Sequence, residues 1–455
     1  MKKQNSISMA VVNAQAAGID VGSRQHYVAV GQQPGDVRTF NVYTKDHTAM
    51  IEWLQQKRIV TVALESTGTY WQTLFSSLQA AGFDVVLSNN YIKDPQRKTD
   101  TKDARWLQRM HTLGLLKHSF IPGADIGQLR SYHRHRSNIV ATATAHTQHM
   151  QKALRLMNLR LDVALSDITG LSGMNIIEAI LSGERSGVAL AELVHYKVKK
   201  TKQEIADSLQ GDWKEEQLYI LQDELVMYKK CQERIACCDK KIEALIKAMI
   251  NKTQSLHWQG APPPDIQKAK SVKEKKKRYK NAPDFNMAAL SRDYFGVDLL
   301  KIEGVAANTI MTFIAEVGND IYKFPTKKNF TSWLRLAPNN KKTGDKVISS
   351  RTPKGKSIMA NSFRVAANTI AQRKDGVLKK IFSRIAYKKG RSAAITAVAR
   401  RLAEIFWIMT VKKQEYQPKN EQVYEAQMKK NVIKNIQHKM RRMGLTAEDV
   451  LMATN

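Results

Sequence analysis

The chain has 455 residues, and its 73 lysines and arginines against 41 aspartates and glutamates leave a formal net charge of +32. An excess of this size favours a polyanionic partner such as nucleic acid. Apolar residues make up 43% of the chain, enough for packed cores, which argues against wholesale disorder. No uncharged apolar stretch approaches the roughly 20 residues that a transmembrane helix needs, so we expect no membrane association.

The N-terminus shows no signal-peptide pattern. The three cysteines lie in one helical stretch and are too few for a disulfide framework or a four-ligand zinc site: Cys231, Cys237 and Cys238. We therefore expect a protein of the reducing cytoplasm.

Residues 17–121 alternate short β-branched runs with helical patterns, which is typical of a mixed α/β layer. The predicted strands are 17–21, 26–32, 38–43, 60–64 and 84–88. The predicted helices are 47–57 and 69–81, with a third that begins near Asp100. The sequence thus predicts an α/β domain over residues 15–122.

The middle of the chain has long helical patterns. Amphipathic helices are predicted over 127–165 and 213–250, and they can pair as a coiled coil within a region that spans 123–250. Eight basic residues and one acid follow between Lys268 and Lys280, so we interpret 251–296 as a basic linker or insertion that is either a solvated tether or a nucleic-acid contact.

The last part of the chain is strongly basic. A helical domain is predicted over 297–411, followed by a basic helical tail over 412–455. Residues 341–415 carry nineteen lysines and arginines against four acids, the strongest electrostatic indication of a nucleic-acid surface in the chain. The histidines of the first long helix lie beside arginines, so we interpret them as facing RNA or DNA rather than zinc: His133, His135, His146 and His149.

Four acids in the first domain have the pattern of a metal site. Asp20 lies within an apolar strand, Glu65 ends another, and Asp100 and Asp103 are three apart at a helix start, so both can project from one face. Divalent cations such as Mg²⁺ prefer converging carboxylates. Structural alternatives are an N-cap role for Asp100 and a simple strand-end charge for Glu65.

These acids stand in segments that resemble a known family. Residues 18–21 (GIDV), 64–68 (LESTG) and 98–104 (KTDTKDA) resemble the DEDD domain of the insertion-sequence-110 family of transposases, which are bridge-RNA-guided recombinases. Further agreement lies at 165–173, 302–305 and 315–318. The resemblance implies a Holliday-junction-resolvase-like ribonuclease-H fold in which the four acids hold Mg²⁺ (or Mn²⁺) and act with a serine of the C-terminal domain.

The position of that serine is occupied by threonine here. In the family the serine follows a proline by five residues and precedes a glycine, and the register from Pro338 to Gly344 places Thr343 there. Threonine keeps the hydroxyl nucleophile, but its β-methyl group crowds in-line attack. Attack by Ser349 or Ser350 and an inactive element copy are the alternatives.

The sequence therefore predicts a DNA transposase of an insertion sequence, an enzyme that cleaves and exchanges strands through a covalent hydroxyl–phosphate intermediate. Its expected partners are donor and target DNA, a bridge-type guide RNA, and other copies of itself, as a dimer that forms a tetramer on DNA. The resemblance places it with the nucleoid in a bacterial or archaeal cytoplasm. A hydrolytic junction-resolving nuclease and a non-enzymatic nucleic-acid-binding protein are the alternative functions.

Overall fold

The computed structural model of the protein describes residues 9–66, 68–88, 99–257, 280–344, 346–418 and 421–444. Two compact units divide the chain, residues 1–121 and residues 122–455. The described residues leave out 258–279, which contain most of the predicted basic run, and 445–455 of the predicted tail.

The first unit is a mixed α/β layer, as the sequence predicts. Its elements are β1 (Ala16–Val21), β2 (Gln25–Ala29), a short 3-10 helix (Pro34–Asp36), β3 (Val37–Asn41), α1 (Thr44–Gln56), β4 (Thr61–Glu65), α2 (Trp71–Ala80), β5 (Asp84–Ser88) and α3 (Asp100–Thr112). Two predicted strands are shorter than expected, since β2 ends at Ala29 and β3 at Asn41.

One five-stranded sheet organises this unit, in the order β3-β2-β1-β4-β5. Strands β1, β2 and β3 are antiparallel neighbours, whereas β1, β4 and β5 run parallel. Ile19 and Leu64 lie in the apolar core on one face of the sheet, and Ala63 packs with Leu107 and Met110 of α3 on the other. Both faces of the central strands are therefore covered, as parallel pairing requires.

The second unit begins with helices. They are α4 (Ala124–Leu156), α5 (Leu161–Ala164), α6 (Leu171–Leu181), α7 (Gly187–Glu192), α8 (Lys202–Ser208) and α9 (Glu215–His257). The prediction of a helix to residue 165 is wrong, because α4 ends at Leu156 and Asn158 takes a left-handed conformation with φ 56°. The short helices between α4 and α9 pack on one apolar core with both.

Helices α4 and α9 lie side by side and antiparallel. The Arg136 guanidinium donates to the Asp239 carboxylate at 2.5 and 3.1 Å, and both side chains are buried. Lys252 lies 2.9 Å from Asp125, so a later residue of α9 pairs with an earlier residue of α4. The interface is thus held by apolar contacts together with polar ties at fixed positions.

The rest of the second unit contains α10 (Met287–Phe295), α11 (Ala307–Glu316), α12 (Lys327–Trp333), β6 (Lys341–Thr343), β7 (Lys346–Ser349), α13 (Ile358–Ala371), α14 (Val377–Lys389), α15 (Arg391–Lys412) and α16 (Glu421–Met443), with 3-10 turns at Leu299–Lys301 and Gly318–Lys323. Aromatic rings fill its core, with Phe313 in contact with Phe330 and Phe406. None of the helices described here has the length and apolar character needed to cross a membrane.

Two sequence predictions for this part are wrong. The linker predicted over 251–296 overlaps the end of α9 and all of α10, whose Leu290 and Phe295 are buried. The stretch predicted as helical also contains a β-hairpin, β6–β7, which pairs Thr343 with Lys346. Gly344 has a φ of +55° at its turn, a conformation that glycine adopts without steric cost, and β-branched Val347 and Ile348 favour the strand.

Candidate active site

Sheet register brings Asp20 and Glu65 to the same edge. Strands β1 and β4 are parallel, and Ile19 is the register partner of Leu64. Asp20 and Glu65 are the next residue in each strand, so their backbones are neighbours at the usual strand spacing of about 4.8 Å. Both are half-buried at the carboxyl end of their strands.

Strand alternation places both side chains on the face that α3 covers. A β-carbon at Gly18 would lie 2.2 Å from the backbone nitrogen of Gln108, so α3 crosses directly over this residue and only glycine fits. Asp20 lies two residues after Gly18, and Glu65 two residues after Ala63, which packs with α3. Residues two apart in a strand share a face, so both acids face α3.

Helix α3 runs opposite to β1. Its C-terminal half lies over the strand starts, where the Gln108 amide donates to the carbonyl of Ala16 at 3.1 Å. Thr61, the first residue of β4, lies within hydrogen-bond distance of His111, with 2.9 Å between its Oγ1 and the ring Nε2. The N-terminal end of α3 therefore lies toward the carboxyl ends of β1 and β4.

Element lengths indicate where the first turn of α3 lies along β1. From Gly18 to Asp20 the strand advances about 7 Å, and four residues of helix advance about 6 Å. Because α3 runs opposite to β1, the four residues back along α3 from Ala104 to Asp100 cover about the same distance as the two residues of β1 from Gly18 to Asp20. The turn that carries Asp100 and Asp103 therefore lies toward the strand end that carries Asp20 and Glu65.

The start of α3 shows how its acids are presented. Thr99 is the N-cap, and its hydroxyl accepts a hydrogen bond from the backbone of Lys102 at 3.4 Å. The N-cap alternative for Asp100 is therefore wrong, because Asp100 is the first helical residue. Asp100 is exposed and Asp103 half-buried.

The four acids do not form a compact ligand cluster among the described residues. Over the described ranges, no three of them bring one oxygen each within 4.8 Å of one another. Their donor set is nonetheless that of a hard divalent cation, since it consists of carboxylate oxygens alone. A divalent cation such as Mg²⁺ or Mn²⁺ fits this set by ligand type.

The helix that carries two of the acids is anchored by a neutral histidine. Burial lowers the pKa of His111 to about 4, with a further lowering from His118. His111 is therefore uncharged near neutral pH, and its contact with Thr61 joins α3 to β4. His26, on the opposite face of the sheet, likewise has its pKa lowered to about 4, first by burial and then by His47.

Thr343 lies at the tip of the β6–β7 hairpin and is exposed. Ser349, an alternative nucleophile, pairs with Lys341 at the opposite end of the hairpin, and its Oγ accepts from the backbone of Arg351 at 3.4 Å. Ser350 is exposed just after the hairpin. Thr343 is thus the hydroxyl that the turn itself presents to solvent.

Exposed cations lie on this hairpin, and further cations follow it in the chain. Lys341, Lys342 and Lys346 lie on its two strands, and further basic side chains follow in the chain: Arg351, Lys354, Lys356 and Arg364. Such a concentration of positive charge suits contacts with phosphate groups.

Two protein-family models match segments of this chain. Residues 17–159 match the model of the DEDD transposase domain of IS110, and residues 298–383 match the model described as "Transposase IS116/IS110/IS902 family". The chain belongs to the IS110 family of transposases. No curated protein matches it. A transposase processes DNA, so DNA is the substrate, and the first matched segment contains all four acids while the second contains Thr343.

The histidines differ from their sequence interpretation. His133 is only 4% exposed and lies 3.3 Å from the Thr312 hydroxyl, so it does not form part of a nucleic-acid-facing surface. His146 and His149 both contact Glu224 of α9. The i, i+3 spacing of these two histidines was visible in the sequence, but the carboxylate that joins them is 75 residues away from His149.

Proposed function

We propose that this transposase cleaves and exchanges DNA strands in a metal-dependent reaction in which the Thr343 hydroxyl forms a covalent bond to DNA. Asp20, Glu65, Asp100 and Asp103 would hold Mg²⁺ or Mn²⁺. The order and direction of the five strands support the ribonuclease-H-like assignment of the first unit. The observation that carries the proposal is the sheet edge shared by Asp20 and Glu65, toward which the N-terminal end of α3 lies.

The proposed metal would polarise phosphate oxygens and offset the charge that develops during phosphoryl transfer. The carboxylates would hold that ion and fix its position, because each projects from a regular element: Asp20 and Glu65 from paired strands, and Asp100 and Asp103 from α3. Gly18 and the anchored C-terminal half of α3 keep the helix close enough for its two acids to reach the same edge.

Thr343 supplies the proposed nucleophile. Its Oγ forms a bond to a DNA phosphorus atom, its proton is lost to a base or to solvent, and one DNA oxygen leaves as a hydroxyl. The resulting phosphodiester keeps the energy of the broken bond, so a DNA hydroxyl can later reverse the step and reseal the strand. The threonine methyl group restricts χ1, and we expect serine at this position to react at least as fast.

The proposed partners follow from charge and family. The net charge of +32 suits binding of both DNA and a structured RNA, and the resemblance supports sequence choice by a bridge-type guide RNA. In this proposal the protein contacts shape and phosphates while base pairing reads sequence. We also propose a dimer that assembles into a tetramer on DNA.

Denaturing electrophoresis with labelled DNA tests the covalent step. Protein incubated with DNA, guide RNA and Mg²⁺ should give a labelled adduct that is retained or increased in Thr343→Ser and lost in Thr343→Ala. Ser349→Ala and Ser350→Ala are the matched controls and should retain it.

The other outcomes separate the competing functions. Cleavage without any adduct would show a hydrolytic nuclease. An adduct retained in Thr343→Ala but lost in a serine control would move the nucleophile to that serine. Nucleic-acid binding with no cleavage under any condition would leave a binding protein.

A further inference from the structure

A second group of metal-ligating side chains lies in the helix pair of the second unit. His146 and His149 of α4 meet Glu224 of α9, and one ligand atom from each lies within 4.8 Å of the others. Nδ1 of His146 is 2.5 Å from one Glu224 oxygen, and Nδ1 of His149 is 2.9 Å from the other. Two imidazoles thus converge on one carboxylate from a neighbouring helix.

The scaffold around this group is well packed. Histidines at i and i+3 share a helix face, and Ala143 and Met150 beside them are buried in the same core as Leu221 and Leu225, which flank Glu224. The two helices are also joined through Arg136 and Asp239. The three side chains are therefore held near one another by the packing of α4 on α9.

Burial differs among the three in a way that suits ion entry. His146 and Glu224 have side chains only 16% and 17% exposed, whereas His149 is 57% exposed. Nε2 of His146 is buried and has no hydrogen-bond partner among the described residues. The group is thus open to solvent on the His149 side and closed behind His146.

The donor set selects a class of metal. Two imidazole nitrogens and one carboxylate are ligands that Zn²⁺ and related transition ions prefer, whereas Mg²⁺ prefers oxygen ligands alone. Zinc sites with three such ligands keep the fourth position for water. Bonds of about 2.0–2.1 Å to a tetrahedral ion require roughly 3.4 Å between ligand atoms. The two nitrogen–oxygen distances of 2.5 and 2.9 Å are hydrogen-bond distances, so the side chains would separate by up to about 1 Å to admit the ion.

We propose that His146, His149 and Glu224 bind one Zn²⁺ ion, or a similar divalent transition-metal ion, which ties α4 to α9. The site is separate from the all-carboxylate set of the first unit and has a different metal preference. Because the ion binds the folded helix pair, it stabilises that pair by mass action.

Calorimetric titration of the full-length chain with Zn²⁺ tests the site. Millimolar Mg²⁺ is kept present to occupy the carboxylate set. We expect one Zn²⁺ per chain, with binding weakened at least about tenfold in His149→Ala and in Glu224→Gln. His149 is largely exposed, so His149→Ala should fold, and its circular dichroism spectrum should match that of the unmodified chain.

Matched controls locate the ion. His135 is exposed on the same helix and Cys237 is an exposed thiol on α9, so His135→Ala and Cys237→Ser should bind Zn²⁺ normally. Zn²⁺ should raise the unfolding temperature of the unmodified chain but not that of His149→Ala. Absence of binding, binding unchanged in His149→Ala, or equal loss in a control would overturn the proposal and leave a hydrogen-bonded His–Glu cluster.

Discussion

The candidate metal acids and the candidate nucleophile are presented by very different structures. Asp20 and Glu65 belong to buried parallel strands whose register is set along the whole sheet, and α3 is fitted over Gly18 with no room for a β-carbon. Thr343 belongs to a hairpin with two short, exposed strands. A set of like charges needs a rigid frame that holds it together, whereas a nucleophile that must reach DNA benefits from exposure.

The largest expected effect is the loss of cleavage when a candidate metal-binding acid of the sheet is changed. Glu65→Gln keeps the size of the side chain but removes a metal-binding charge, so we expect cleavage to fall by at least about 10³-fold, equivalent to several kcal/mol of lost charge stabilisation. DNA binding, measured by gel shift, should stay within about twofold. Glu52→Gln, at an exposed position on α1, is the matched control and should cleave normally; full activity of Glu65→Gln would refute the metal role of this edge.

The pH dependence of stability tests how His111 joins α3 to the sheet. The folded pKa of His111 is about 4 against an ordinary value of 6.5, so the unfolded chain binds more protons between these values and stability falls as the pH drops through that window. Titration of this one group should remove about 2 to 3 kcal/mol by pH 4. Urea unfolding of the wild type and His111→Gln at pH 7 and pH 4 measures the difference, and equal losses would contradict the assignment.

Close packing of α3 on β1 gives the next effect. In Gly18→Ala the new methyl group meets helix backbone rather than a flexible side chain, so we expect the free energy of unfolding to fall by about 1–3 kcal/mol. Cleavage should fall as well, because α3 would move and carry Asp100 and Asp103 with it. Gly35→Ala, where a β-carbon meets nothing within 4 Å, should change neither the free energy of unfolding nor the rate of DNA cleavage.

The smallest effect concerns the exposed hairpin. Lys342→Gln removes one charge from an open surface, so we expect DNA affinity to fall only a few-fold and the slope of log affinity against log salt to decrease by about 0.9. Unfolding by urea should be unaffected. Lys45→Gln, exposed on α1, should leave the slope unchanged, and an unchanged slope in Lys342→Gln would remove this lysine from the DNA surface.

Much of this protein is determined locally. Residues 16–21 and 61–65 become strands because they are short apolar runs with β-branched side chains, and α3 starts where Thr99 can cap it. The four acids could be recognised because their order and spacing belong to a family pattern. Charge composition identified the class of partner without any structure.

Tertiary structure decided the features that depend on distant contacts. Residues 341–343 and 346–349 pair as a hairpin instead of continuing the predicted helical pattern, because pairing between the strands adds to the strand preference of Val347 and Ile348. Burial of His133 and the meeting of His146 and His149 with Glu224 depend on how α4 packs against its neighbours. A sequence pattern reports which side of an element is apolar, but the partner that covers that side is chosen only when the whole chain packs.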